Sequence, residues 1–218
     1  MNKLIIFLFG FFLSLNTFAQ KSYPLLNEIN EYKEQDATSF PQPNGILFVG
    51  SSSFRVWKSL EKDYQDYNAI NRGFGGSTLG QAIYYADDLI FPYQPRQIVI
   101  YSGENDLAEG ETIEVTFDRF KTLFDLIRKK MPQVPIAFIS IKPSPSRAHL
   151  MPKMMATNLL IKDFLEKKQN TSYINIFDAM LQSNKQPKTD IFLSDNLHMN
   201  DKGYQIWKKI ITPYLIKN

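Results

Sequence analysis

The 218-residue chain contains no cysteine and only two histidines. Without a thiol there is no disulfide, no thiolate metal site, no cysteine nucleophile and no lipid attached through a cysteine. Two isolated histidines make a poor metal site, so neither a metal nor an organic cofactor is expected. Charge is not concentrated in any run: the net balance is +3, the pI is near 8.9, and acidic residues are interspersed with basic ones. Nucleic acid is therefore offered no basic stripe and is not expected as a partner. Membrane-spanning runs are missing too. The apolar stretch Leu4–Leu15 in "MNKLIIFLFGFFLSLNTFAQ" is shorter than the roughly 20 residues a bilayer requires. With Lys3 before it and the small residues Thr17 and Ala19 after it, it reads as a secretory signal peptide over residues 1–19. Residues 20–218 then form one secreted or periplasmic domain of net charge +2, with no stable membrane insertion.

What the chain does contain is an alternation of short apolar runs with amphipathic segments. "ILFV" (46–49), "YNAI" (67–70), "QIVIY" (97–101), "PIAFISI" (135–141) and "YINIF" (173–177) have the length and the β-branched or aromatic content of strands. Between them, Leu79, Ile83, Ala86 and Ile90 share a helical face. Ile113, Phe117, Phe120, Phe124, Ile127 and Met131 give the clearest helical spacing, and Met155, Leu159, Leu160 and Phe164 repeat it. Tyr204, Trp207, Ile211 and Tyr214 form a last helix that Pro213 should bend. These stripes are read as core-facing. Strand alternating with helix predicts a mainly parallel five-stranded sheet covered on both faces, a three-layer α/β/α sandwich.

In such sheets ligands sit outside the carboxyl ends of the strands. Three segments of unusual composition leave strands at that edge: "GSSSF" (50–54), "NRGFGGST" (71–78) and "SGEND" (102–106). A serine hydrolase needs a hydroxyl, a base, a group that orients the base, and donors for an oxyanion. Ser51, Ser52 and Ser53 all offer a hydroxyl. His149, in "SRAHLMPK", has no carboxylate close in sequence and reads as structural. His198, in "SDNLHMND", follows Asp195 by three residues, which places both side chains on one side of a turn. "GSSSF" does not fit the G-x-S-x-G elbow of α/β-hydrolases, because Phe54 replaces the second glycine.

The four segments "GSS" (50–52), "NRGFGG" (71–76), "GEND" (103–106) and "DNLH" (195–198) resemble, in order, the four blocks of the SGNH (GDSL-type) esterase and lipase family. The resemblance runs over about residues 44–217 and implies a flavodoxin-like SGNH fold. It implies Ser52 as nucleophile, His198 as general base and Asp195 as its orienter. It also implies an oxyanion hole made by the N–H groups of Ser52 and Gly76 and the side-chain amide of Asn105. Ser51 stands where the family more often has aspartate, and Arg55 and Trp57 mark a branch with "GSSS"; both are read as packing beneath the site. Ser51 and Ser53 are read as turn formers, Asp106 as a loop brace, and "KPSPSR" (142–147) as a solvated or structural loop leaving the fourth strand at the active edge, with contact of Lys142 and Arg147 to an anionic substrate group as the alternative. The implied activity is hydrolysis of carboxylic esters, with a small-molecule or carbohydrate ester as partner and a short acyl group favoured, because no long apolar insertion suggests a lid. A lipase or lysophospholipase, a non-catalytic carbohydrate-binding relative, and a peptidase or acyltransferase are the alternatives.

Overall fold

The computed structural model describes residues 25–217; the predicted signal peptide at 1–19 lies outside them. In chain order the elements are α1 (Leu26–Thr38), β1 (Ile46–Gly50), α2 (Ser52–Arg55), α3 (Leu60–Asp63), β2 (Ala69–Gly73), α4 (Leu79–Tyr84), α5 (Ala86–Leu89) and β3 (Gln97–Tyr101). They continue with α6 (Glu104–Ala108), α7 (Ile113–Lys130), β4 (Ile136–Ile139), α8 (Met151–Leu165), β5 (Thr171–Ile174) and α9 (Asp201–Ile211). The five strands form one sheet in the order β2-β1-β3-β4-β5, and every pairing is parallel. This is the flavodoxin-like order, with the chain reversing direction across the sheet at the β1/β3 boundary.

Two apolar layers explain why the strands read as unbroken hydrophobic runs. Leu47, Val49, Ile98, Ile100, Ile136 and Phe138 point to one side, where α4, α5, α7 and α8 pack on them. Ile46, Phe48, Val99, Tyr101, Ala137 and Ile139 point to the other, against Phe54, Trp57 and Leu60 and against Tyr204, Trp207 and Ile211 of α9. Successive strand residues thus serve opposite cores, as a period of two demands. The three-layer sandwich is therefore observed.

Several boundaries differ from the sequence expectation. The second strand begins at Ala69, because Tyr67 closes a 3-10 turn and Asn68 is left-handed at φ 48°, and it runs on through Asn71 and Arg72. Arg72 is tolerated inside because Asp36 on α1 lies 2.5 Å from its guanidinium and its Nε donates to the Tyr93 hydroxyl at 2.7 Å. The last strand is Thr171–Ile174, and Asn175 turns the chain out of it by accepting from the Phe177 N–H. The helix after β2 breaks at Tyr85 into α4 and α5. At Pro213 the last helix does not bend; it gives way to a 3-10 turn at Thr212–Tyr214.

The largest correction concerns α8. Met155, Leu159 and Leu160 face solvent, while Met154, Thr157, Asn158, Ile161 and Leu165 face the core. The apolar count misplaces the stripe because two core-facing positions are polar and locally satisfied. Asn158 accepts from the Ile141 N–H at 2.7 Å and donates to the Ile141 carbonyl at 2.9 Å, and the Thr157 hydroxyl donates to the Lys153 carbonyl. A buried amide with both ends paired costs little. Here it clamps the backbone where the chain leaves β4.

Candidate active site

Strand β1 ends at Gly50, paired with Gly73 of β2 and Tyr101 of β3. Gly50 sits at φ 147°, and a Cβ there would stand 1.9 Å from the Tyr101 carbonyl, so only glycine lets the three strands close up at this edge. The chain then turns at Ser51, whose N–H donates to Tyr101, and α2 starts at Ser52. Ser51 and Ser53 are both buried. The Ser53 carbonyl accepts from the Tyr204 hydroxyl of α9 at 2.9 Å, so both neighbours of Ser52 are backbone anchors and only Ser52 is turned toward the edge.

His198 reaches the same place from the far end of the chain. Asn200 caps α9 by accepting from the N–H groups of Lys202 and Gly203, which fixes the turn just before the helix. In that turn Asp195 Oδ1 accepts from the Leu197 and His198 N–H groups at 2.9 and 3.0 Å. Its Oδ2 lies 2.6 Å from His198 Nδ1, and His198 Nε2 lies 2.9 Å from Ser52 Oγ. A carboxylate can only accept, so Nδ1 carries the proton and Nε2 is left as the acceptor for the Ser52 hydroxyl. Burial raises the Asp195 carboxyl, but the imidazole and the two backbone donors outweigh it and hold the pKa at about 2. The stabilisation is fully present above the ordinary value of 3.8 and is lost as the pH falls through about 2.

The donors of the edge are linked through Ser77. Its hydroxyl donates to the Gly50 carbonyl at 3.3 Å, and its carbonyl accepts from Asn105 Nδ2 at 2.9 Å. Gly76, just before it, is left-handed at φ 64° with no atom within 4 Å of where a Cβ would stand, so it borders open space. Neither its N–H nor that of Ser52 donates to a protein acceptor among the described residues. The five residues expected at the site, Ser52, Gly76, Asn105, Asp195 and His198, all meet at the carboxyl edge of β1, β2 and β3.

Other expectations divide. Asp106 is fully buried and braces the loops by accepting from the Leu79 N–H and from Arg119. Trp57 packs beneath the site, stacked on Tyr204 at 4.7 Å. Arg55 does not; its side chain is 43% exposed and pairs with Glu28 of α1. His149 is exposed on a 3-10 turn and takes no part in the site. Lys142 is buried and paired with Glu104, so it cannot touch a substrate. Among the described residues no cluster of three or more histidine, aspartate or glutamate side chains could hold a metal ion.

Two supports were missed. Glu28, Tyr32 and Asp36 recur every fourth residue on α1, and all three reach the body of the protein. Glu28 accepts from the Gly75 N–H at 2.7 Å, Tyr32 donates to the Gly73 carbonyl at 2.5 Å, and Asp36 holds Arg72. The helix thus buttresses the glycine loop, and its i, i+4, i+8 polar spacing was the available signal. We expect Glu28→Ala to lower stability by about 1–3 kcal/mol in urea unfolding, because Gly75 loses a charged acceptor. The second support is a buried ionic group in which Glu104 meets Lys142 and Arg147.

Comparison with known proteins follows the same outline. The GDSL-like Lipase/Acylhydrolase family matches residues 45–206, a span that holds all five site residues. No curated protein matches the chain. Among solved structures, a Streptococcus pneumonia protein superposes with a TM-score of 0.78 at 21% identity over 88% of this chain and 93% of that one. A GDSL-like lipase from Bacteroides thetaiotaomicron gives 0.74 at 20% identity, covering 86% and 96%. A family 3 carbohydrate esterase from Clostridium thermocellum gives 0.62 at 16% identity, covering 80% and 98%. At these identities the likeness is one of fold.

Proposed function

Because the chain belongs to the GDSL-like lipase/acylhydrolase family, we propose that it is an exported serine esterase in which Ser52 is the nucleophile, His198 the general base and Asp195 its orienter. The observation that carries this reading is the unbroken line from Asp195 Oδ2 through the imidazole to Ser52 Oγ, 2.6 and 2.9 Å long at its two links. Nε2 takes the hydroxyl proton as Oγ attacks the acyl carbon, and Asp195 steadies the imidazolium that results. Negative charge develops on the carbonyl oxygen. The unpaired N–H groups of Ser52 and Gly76 and the remaining N–H of Asn105 are the donors for it. His198 passes the proton to the leaving alcohol, and water repeats the sequence on the acyl-enzyme. Export rests on the signal-peptide pattern of residues 1–19.

The substrate is a short acyl ester, with acetyl groups on carbohydrate as the leading case. Three observations favour it. The Gly76 edge opens directly to space, the connections around it are short, and carbohydrate esterases occur among the structural neighbours. A panel of esters with products identified by mass spectrometry tests the assignment. Acetyl esters should turn over about 10-fold or more faster than esters of long acyl chains, a ratio within reach of a pocket that accepts or rejects a few methylenes. Faster turnover of long chains would reverse the substrate assignment. No ester cleavage, together with no labelling of Ser52 by a fluorophosphonate, would remove the esterase reading.

A further inference from the structure

Side-chain amides present a problem to an oxyanion hole. Their oxygen and nitrogen ends have nearly the same shape, and the terminal torsion is broad and two-fold. Something must decide which end faces the substrate. For Asn105 the answer lies in its two partners. The Ser77 carbonyl, 2.9 Å from Nδ2, can only accept. Arg147 Nη1, 3.0 Å from Oδ1, can only donate. A flipped amide would set oxygen against oxygen and N–H against guanidinium, so one orientation survives, and it leaves one Nδ2 hydrogen free.

The guanidinium is itself fixed. Arg147 Nη1 lies 3.1 Å from Oε1 of Glu104, the residue beside Asn105, and Glu104 Oε2 accepts from Lys142 Nζ and the Tyr101 hydroxyl, each at 2.5 Å. One residue earlier, Ser146 donates its N–H and its hydroxyl to the Asn196 carbonyl at 3.1 and 2.9 Å. Asn196 lies in the turn between Asp195 and His198. Adjacent residues of one segment therefore grip the oxyanion amide and the turn that carries the base. The segment also leaves two cations against one buried carboxylate, a net positive charge beside the place where negative charge would develop.

On the reading of Asn105 as an oxyanion donor, we propose that 142–147 is the element that registers the oxyanion hole against the catalytic base, with Arg147 the positioning residue that holds the Asn105 amide in its donating orientation. The test is a double-mutant cycle on 4-nitrophenyl acetate, a neutral ester, using Asn105→Ala, Arg147→Ala and the pair. Loss of one oxyanion donor typically costs ~10²–10³ in rate. Arg147→Ala should reproduce part of that loss, lowering kcat about 10–100-fold with KM changed less than about twofold. Arg147→Lys, which keeps the charge and a donor, should fall between Arg147→Ala and the parent. The double variant should be no slower than Asn105→Ala alone. Multiplicative losses in the double variant would overturn the proposal, and so would a raised KM with kcat unchanged, which marks a substrate-binding cation. A readout independent of turnover is the 15N order parameter of the Asn105 side-chain amide. It should drop in Arg147→Met, which keeps the aliphatic stem; an unchanged value overturns the proposal even if the parent cleaves no ester. A parent protein that is inactive and unlabelled by fluorophosphonate defeats the esterase reading instead, and the amide measurement still decides Arg147.

Discussion

Ser52→Ala should lower kcat on the best ester by about 10⁴–10⁶-fold while leaving the fold and the thermal midpoint close to those of the parent. The small structural effect follows from position. Ser52 is the first residue of α2 and its hydroxyl has one partner among the described residues, His198 Nε2, whereas its neighbours Ser51 and Ser53 carry the backbone anchors. In the proposed mechanism the large catalytic effect follows from the covalent step, which has no substitute once Oγ is gone. His198→Ala should cost a similar factor, and the double variant little more, because groups that act as a unit are not additive. Asp195→Asn should keep the geometry yet lose about 10⁴-fold, since an amide that donates to Nδ1 would favour the wrong tautomer. Single-turnover kinetics with a chromogenic acetyl ester measures all four. A Ser52→Ala protein that cleaves at the parental rate would eliminate the mechanism.

The largest effect on stability is expected from Glu104→Ala. Glu104 and Lys142 have side chains only 3% and 1% exposed, with nitrogen and oxygen 2.5 Å apart, and Arg147 closes the group from the other carboxylate oxygen. Burial alone would push the Glu104 carboxyl up, but the Lys142 ammonium and the Arg147 guanidinium beside it, with the hydrogen bonds from Lys142 and Tyr101, hold it below the usual carboxylate range. Removing the carboxylate leaves two cations facing each other in the interior. Breaking one side of a buried pair costs about 3–5 kcal/mol. For a domain of this size that is a fall of roughly 6–20 °C in the melting midpoint. Glu104→Gln with Lys142→Met removes both charges of the closest contact and should recover most of the loss, because replacing a buried pair by matched neutral groups is often near neutral. Calorimetry on the three proteins separates these outcomes. A Glu104→Ala midpoint within about 2 °C of the parent would mean that the charges are not desolvated.

The ionic group also shows why some of the site could not be read from the chain. The Asp195–His198 turn was legible from spacing alone, whereas Ser52, Gly76 and Asn105 were singled out by the resemblance that four short motifs in order carry, since residue chemistry left Ser51, Ser52 and Ser53 equal. Scarcity helped, since with two histidines only one had a carboxylate three residues away. Glu104 lies inside one of those motifs yet was assigned no role, because its partners Lys142 and Arg147 are 38 and 43 positions along the chain. Glu28 is 47 residues from the glycine it supports. Met155 and Leu159 misled for a related reason. Hydropathy marks apolar residues, not the face a neighbour covers, and Asn158 was buried by its hydrogen bonds with Ile141.

Local order along the chain was thus enough for the five strands, the layered architecture and the candidate base, because a period of two or of 3.6 and the chemistry of tight turns act within a few residues; the choice of Ser52 came from the resemblance of four ordered motifs to a known family. Folding alone settled the sheet order, the face of α8, the support of the glycine loop by α1 and the orientation of the Asn105 amide. Each of those depends on a contact between groups far apart in sequence, and no local pattern encodes which distant partner will arrive.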